Sequence, residues 1–266
     1  MLYLIIHWRF FMRYTSKQLK AISRTQLTGK YGILGGAFLL YEVITSLLSM
    51  ILNIINPSVS TASITQTIIS GESPSLPGVI QIVTFIISYV IILLIASVVS
   101  LGFNKMFLDG SREYPVRFED LFYGFRHHPD RVIVMQLILL GINFLCYLPA
   151  LVVWVIWFYQ DFSSIPLMLA ALVLFLIGLA AQVYFTLTFQ LSMFLMADYD
   201  DLGPVQALKE SHKLMTGNKG RALYIELSFT GFMILGFLTC SIGYLWIFPY
   251  MYMTRTNLYR NITGEI

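Results

Sequence analysis

Five apolar runs, with almost no charge inside them and every cation outside them, leave this chain few ways to fold. The runs are Tyr31 to Ile55, Gly78 to Phe103, Val132 to Phe158, Pro166 to Met196 and Ala222 to Met253, and Glu42 and Glu226 are the only charged residues they contain. A helix rises about 1.5 Å per residue, so each run is long enough for a bilayer core of about 30 Å. Barrel strands need only about ten alternating residues, a pattern these runs lack. Charged residues make up 12% of the chain, against about 25% in soluble domains. The expected class is therefore all-α, a polytopic helical membrane protein, because backbone groups in lipid must be satisfied within each segment.

The last run is longer than one crossing needs. Cys240-Ser241-Ile242-Gly243 near its middle can close a tight turn, which divides it into two spans with Pro249 kinking or unwinding the second. Six transmembrane helices follow, at about 31–55, 78–103, 132–158, 166–196, 222–239 and 244–258, arranged as three hairpins. With the N-terminus inside, all 17 Lys and Arg then lie on the inner side and none in an outer loop. Five spans would put Arg255 and Arg260 outside. The expected location is thus the cell (cytoplasmic) membrane, multi-pass, with N-terminus and C-terminus both cytoplasmic.

Residues 15–266 read as a single integral membrane domain. Residues 1–14, MLYLIIHWRFFMRY, form an N-terminal extension without a cleavage site, either an interfacial anchor or an upstream-start artefact ahead of Met12. The first outer loop, PSVSTASITQTIISGESPSLP, has no basic residue, and the short turn Tyr159 to Ile165 carries only Asp161. Each hairpin is preceded by a polar foot, SKQLKAISRTQLTGKYG, RFEDLFYGFRHHPDRV or PVQALKESHKLMTGNKGRAL, that reads as a cytoplasmic interfacial amphipathic helix. The first and third share Leu-Lys, a nearby Ser, and Leu or Met before Thr-Gly and a lysine, which suggests three tandem repeats of foot plus hairpin.

Reaction chemistry has no signature here. Cys146 and Cys240 are far apart and lack metal or redox spacing, and His127-His128 beside Asp130 have no second ligand pair. Thr216-Gly217-Asn218-Lys219-Gly220 is a helix exit rather than a phosphate loop, and no HExxH or GxSxG is present. No enzyme activity, cofactor, metal or nucleic acid is expected. Charged residues inside spans are the usual functional pointers. Glu42, near the middle of its helix, binds a cation or proton or pairs with Gln136, Asn143 or Gln182; Glu226, shallower, reads as an interfacial partner near Arg221. The basic feet would lie against anionic lipid headgroups, at about 1 kcal/mol per cation near the surface.

The C-terminal part carries a likeness. Ser211, Met215, Gly217 and Lys219 are followed by Leu227-Ser228-Phe229 and Gly231, then Thr239, Ile242-Gly243, Leu245-Trp246 and Pro249-Tyr250. Lys20 to Arg24 and Asp120 to Phe125 support it. The pattern resembles the signature of the bacterial integral membrane family called domain of unknown function 975, with Phe232 where that family often has Trp. The resemblance implies a six-pass protein without an established activity. The leading expectation is a non-enzymatic protein that organises lipids or an unknown protein partner; the alternative is a small transporter or transporter subunit using Glu42 and the kinked sixth span.

Overall fold

A computed structural model describes residues 14–55, 79–160 and 164–266 of the chain. The expectations for residues 1–13, for the outer loop 57–77 and for Asp161 lie outside the described residues. Among the described residues the regular structure is entirely helical.

The chain enters α1 (Ser16–Leu27) through a reciprocal cap in which the Thr15 hydroxyl accepts the Gln18 N–H at 3.4 Å and Gln18 Oε1 accepts the Thr15 N–H at 2.8 Å. Gly29, at φ +83°, turns the chain into α2 (Tyr31–Ile55), a left-handed conformation that costs glycine little. The return helix α3 (Val79–Ser111) passes the expected boundary at Phe103, so Lys105 and Asp109 sit on one helical face as a pair 3.5 Å apart.

The second foot differs from its expectation of an amphipathic helix. It consists of a 3₁₀ turn, Phe118–Phe122, and a single turn α4 (Tyr123–Arg126). The cause is close backbone approach: a Cβ on Gly124 would stand 2.3 Å from the Val98 carbonyl oxygen. The segment is wedged against α3, with Leu121 inside and Phe118, Phe122 and Phe125 outside.

Next come α5 (Pro129–Tyr159) and α6 (Ile165–Phe189). The fourth expected span is not one regular helix: its pattern lapses at Gln190-Leu191 before α7 (Ser192–Asp198). Gly203 and Pro204 open α8 (Pro204–Met215), and Gly217 at φ +79° leads into α9 (Lys219–Ser228). A second lapse, at Phe229, separates α9 from α10 (Thr230–Leu238). Leu191 (φ −87°, ψ −8°) and Phe229 (φ −92°, ψ −8°) take almost the same backbone conformation.

Thr239 to Gly243 form the expected tight turn, with Cys240 and Ser241 both at positive φ. Thr239 holds it by accepting the Gly243 N–H at 2.9 Å. The last helix, α11 (Tyr244–Thr263), is continuous through Pro249, with no unwinding there. Pro249 removes the bond to the Leu245 carbonyl, and this oxygen faces Gly35 of α2, 3.7 Å from where a Cβ would stand.

Among the described residues, five stretches are long and apolar enough to cross a membrane: Tyr31–Ile55, Val83–Ser111, Pro129–Tyr159, Ile165–Asp198 and Lys219–Leu238. The core lies at one end of them. Leu19, Leu34, Phe103, Phe107, Phe229 and Tyr259 are among its fully buried side chains, whereas Leu47, Ile54, Ile87, Leu145, Ile177 and Phe237 along the helices are exposed.

Charged and polar groups tie that end together. Arg112 donates to Asp198 at 2.6 and 2.9 Å and to Glu265 at 2.5 Å, while Tyr259 donates to the same Asp198 at 2.8 Å. Bonds to Asp198 and Glu265 hold the Arg112 pKa above its ordinary value, so it stays protonated at physiological pH. Asn257 of α11 donates to Ser23 Oγ at 2.9 Å and Gln26 Oε1 at 2.7 Å, joining the last helix to the first.

Candidate functional site

Glu226 sits in α9, two turns inside the last apolar stretch, where an unpaired carboxylate would be costly. Its partner is Arg255 of α11, not Arg221 as its position in sequence suggests. The pair is two-pronged, with Arg255 Nε and Nη2 each 2.6 Å from a carboxylate oxygen, a geometry that matches the fork of the guanidinium. Gln190 Nε2 donates to the same carboxylate at 3.2 Å. The Arg255 guanidinium also lies 5.1 Å from the centre of the Tyr252 ring, close enough for a cation–π contact.

This cluster stands where both helical lapses occur. Gln190 begins the lapse between α6 and α7, and Glu226 is followed within one turn by the lapse at Phe229. Short 3₁₀-like distortions inside long helices often mark functional hinges.

Glu42 is placed differently. It lies exposed on α2 with no side-chain bond or ion pair among the described residues, and neither Gln136, Asn143 nor Gln182 reaches it. Gln182 accepts from the Tyr147 hydroxyl instead. Next to Glu42, Tyr41 stacks on Phe103 at 5.0 Å, and Phe103 meets Tyr252 edge-on at 4.8 Å. The two acidic residues are thus separated by a layer of aromatic rings.

The signature residues mostly shape the last foot and hairpin. Ser211 is buried and donates to the Thr188 carbonyl at 2.8 Å; Met215 is buried beneath the corner made by Gly217. The Lys219 ammonium stands 3.6 Å from the Tyr184 ring centre. Phe229 is fully buried, with Lys20 of α1 4.1 Å from its ring centre and Tyr250 edge-on at 5.1 Å. Lys20 also donates to the Ser228 carbonyl at 3.3 Å, and Arg24 to the Tyr250 hydroxyl at 3.1 Å. Thr239 and Gly243 build the turn, and Pro249 is buried. Leu227 and Trp246 are exposed, and Gly231 has open space where a Cβ would be.

Sequence reasoning missed the partners. Arg255 enters the sequence reading only as a charge to be assigned to a side, and Gln190 has no part in it. Their contacts with Glu226 join residues 29 and 36 positions apart, a separation that helical periodicity does not encode. His127 stacks on Tyr123 with ring centres 4.0 Å apart.

Against known proteins, the family model described as "Protein of unknown function (DUF975)" matches residues 12–265. No curated protein and no solved structure matches the chain.

Proposed function

The chain belongs to the DUF975 family, whose function is unknown, and from that premise we propose that it is a six-span protein of the cytoplasmic membrane that organises lipids or a partner protein and catalyses no reaction. One observation carries the reading. The folded core is concentrated at the charged end, and along Tyr31–Ile55 only Leu34, Ala37 and Phe38 are buried within the chain. A body whose spans keep most of their apolar sides free has surface to offer to lipid or to foreign helices.

The six-span threading draws on contacts between helix ends. Lys30, before α2, donates to the Gly110 carbonyl at the end of α3 at 2.9 Å. Arg131, at the start of α5, donates to the Asp200 carbonyl beyond α7 at 2.5 Å. Arg221, at the start of α9, donates to Asn261 near the end of α11 at 2.8 Å. Each contact favours a chain that leaves the charged end and returns to it, so that α11 is the short sixth span. The positive-inside rule then puts that end, with both termini, in the cytoplasm.

Many basic residues of the feet are spent on the protein itself, Lys20, Arg24, Lys30 and Lys219 among them. Lys17, Arg117, Arg126 and Lys209 remain exposed for anionic headgroups, and the exposed Phe118, Phe122 and Phe125 beside two of them suit the bilayer interface.

Transport is the second reading, favoured by the meeting of two helical lapses at an intramembrane ion pair. The two readings separate in one preparation. Purified protein in proteoliposomes is expected to show no gradient-driven uptake, while crosslinking in native membranes captures a defined partner or lipid set. Uptake that disappears in Glu226→Gln at unchanged protein level would replace the first reading with the second.

A further inference from the structure

Between α5 and α6 the helices leave a cavity of about 200 Å³ lined by Gln136 and Asn143, with the aliphatic Leu139 and Ile142 between them, from one side and Thr186, Gln190, Phe185 and Phe189 from the other. Gln136 and Asn143 lie about 10 and 21 Å along α5 from its first residue, at about 1.5 Å per residue, so the cavity runs inside an apolar span. Amides at that depth are ordinarily bonded to something, because lipid offers them nothing. Here they are not. Gln190 Oε1 is buried without a hydrogen-bond partner, and the side chains of Gln136 and Asn143 form no hydrogen bond among the described residues.

The unused groups define what would fit. Gln190 spends its N–H on Glu226 and keeps a bare acceptor, so the ligand must bring an O–H or N–H hydrogen. The amides of Gln136 and Asn143 can both donate and accept. Glu226 is neutralised by its two-pronged bond to Arg255, which leaves no net charge at the cavity to attract an ion. An acyl chain would satisfy none of the amides, and a phosphate would find no cation among the described residues that line the cavity. The Phe185 and Phe189 rings, nearly parallel at 7° with centres 6.1 Å apart, add a flat apolar wall. A sugar or polyol has this combination of features: uncharged, several adjacent hydroxyls, and a C–H face for aromatic rings.

We propose that the α5–α6 cavity binds a neutral polyhydroxyl group, either the headgroup of a glycolipid or a free sugar or polyol. It needs these helices to lie in a bilayer but not the organising role above, so the two can fail separately.

The test uses the full-length protein in phosphatidylcholine nanodiscs, since maltoside detergents themselves carry the ligand chemistry. Thermal unfolding is followed while glucosyl diacylglycerol is added to the disc lipid, glucose to the buffer, and phosphatidic acid to the disc as the charged control. Stabilisation by the glycolipid alone identifies a lipid headgroup; stabilisation by glucose as well identifies a free sugar. Asn143→Leu and Gln136→Leu break no bond among the described residues and should fold normally, yet shift the dose response about tenfold, as expected for a lost hydrogen bond. Gln190→Leu should do the same where it folds. No response to either sugar, an equal response to phosphatidic acid, or an unchanged response in both α5 variants would overturn the proposal. A protein that captures a partner but ignores both sugars overturns this inference alone.

Discussion

A methyl group added at Gly102 would stand 2.0 Å from the Leu121 carbonyl oxygen and 2.5 Å from its carbon, backbone atoms that no rotamer change can move. Gly141, also in an apolar helix, has nothing within 4 Å. Gly102→Ala is therefore expected to destabilise the protein by about 3 kcal/mol or more, the upper range of overpacking, and Gly141→Ala to leave it unchanged or slightly more stable. Size-exclusion profiles and unfolding temperatures of the two variants check this; similar behaviour would mean that the second foot is not wedged on α3. At the ion pair, Glu226→Gln strands the Arg255 guanidinium. Removing one partner of a wholly buried pair costs about 3–5 kcal/mol, and both side chains here are 25% exposed, so about 1–3 kcal/mol is the expected loss. The double variant Glu226→Leu, Arg255→Met should recover most of it. Stability that falls additively in the double variant would show that the two residues are not coupled.

At the scale of elements, the first and third feet are built alike. Gln18 and Gln206 each reach back to the backbone N–H of the residue before the helix, Ser23 and Ser211 are each fully buried, Thr28 and Thr216 each end the helix, and Gly29 and Gly217 each turn the corner at positive φ. All four pairs keep one constant spacing in the sequence, which supports a shared origin for the two units. Gly29→Ala and Gly217→Ala should each destabilise by about 1 kcal/mol, because a Cβ disfavours the left-handed conformation. Unequal losses in unfolding temperature would show that the corners are not equivalent. These feet were legible because their caps and corners are local chemistry. The second foot was not, since the close approach of Gly124 to Val98 overrides its helical spacing of Phe118, Leu121, Phe122 and Phe125. The long helices and the Cys240–Gly243 turn were legible from apolar length and turn residues. The Glu226–Arg255–Gln190 cluster was not, because it forms only when three separate helices pack.

Among the described residues most of the charge gathers at one end and apolar surface covers the rest, which makes the threading testable with the chain's own cysteines. Cys240 is exposed in the turn between α10 and α11, and Cys146 is half-buried within α5. If α11 returns to the charged end, as the Arg221–Asn261 bond favours, Cys240 lies outside the cell. In a Cys146→Ala background, a membrane-impermeant maleimide should label Cys240 on intact cells. Lys209→Cys, on the exposed face of α8, should label only after permeabilisation in a Cys-free background. A tag after Ile266 should likewise be protected from external protease until the membrane is opened. Labelling of Cys240 from outside together with a protected tag requires the final helix to cross, as six spans demand. An externally cleaved tag would instead leave α11 on the outer side and return the count to five, with Arg255 and Arg260 breaking the positive-inside rule. The bond between Glu226 and Arg255 makes that outcome unfavourable, since it holds α11 beside α9, which opens a stretch long and apolar enough to cross.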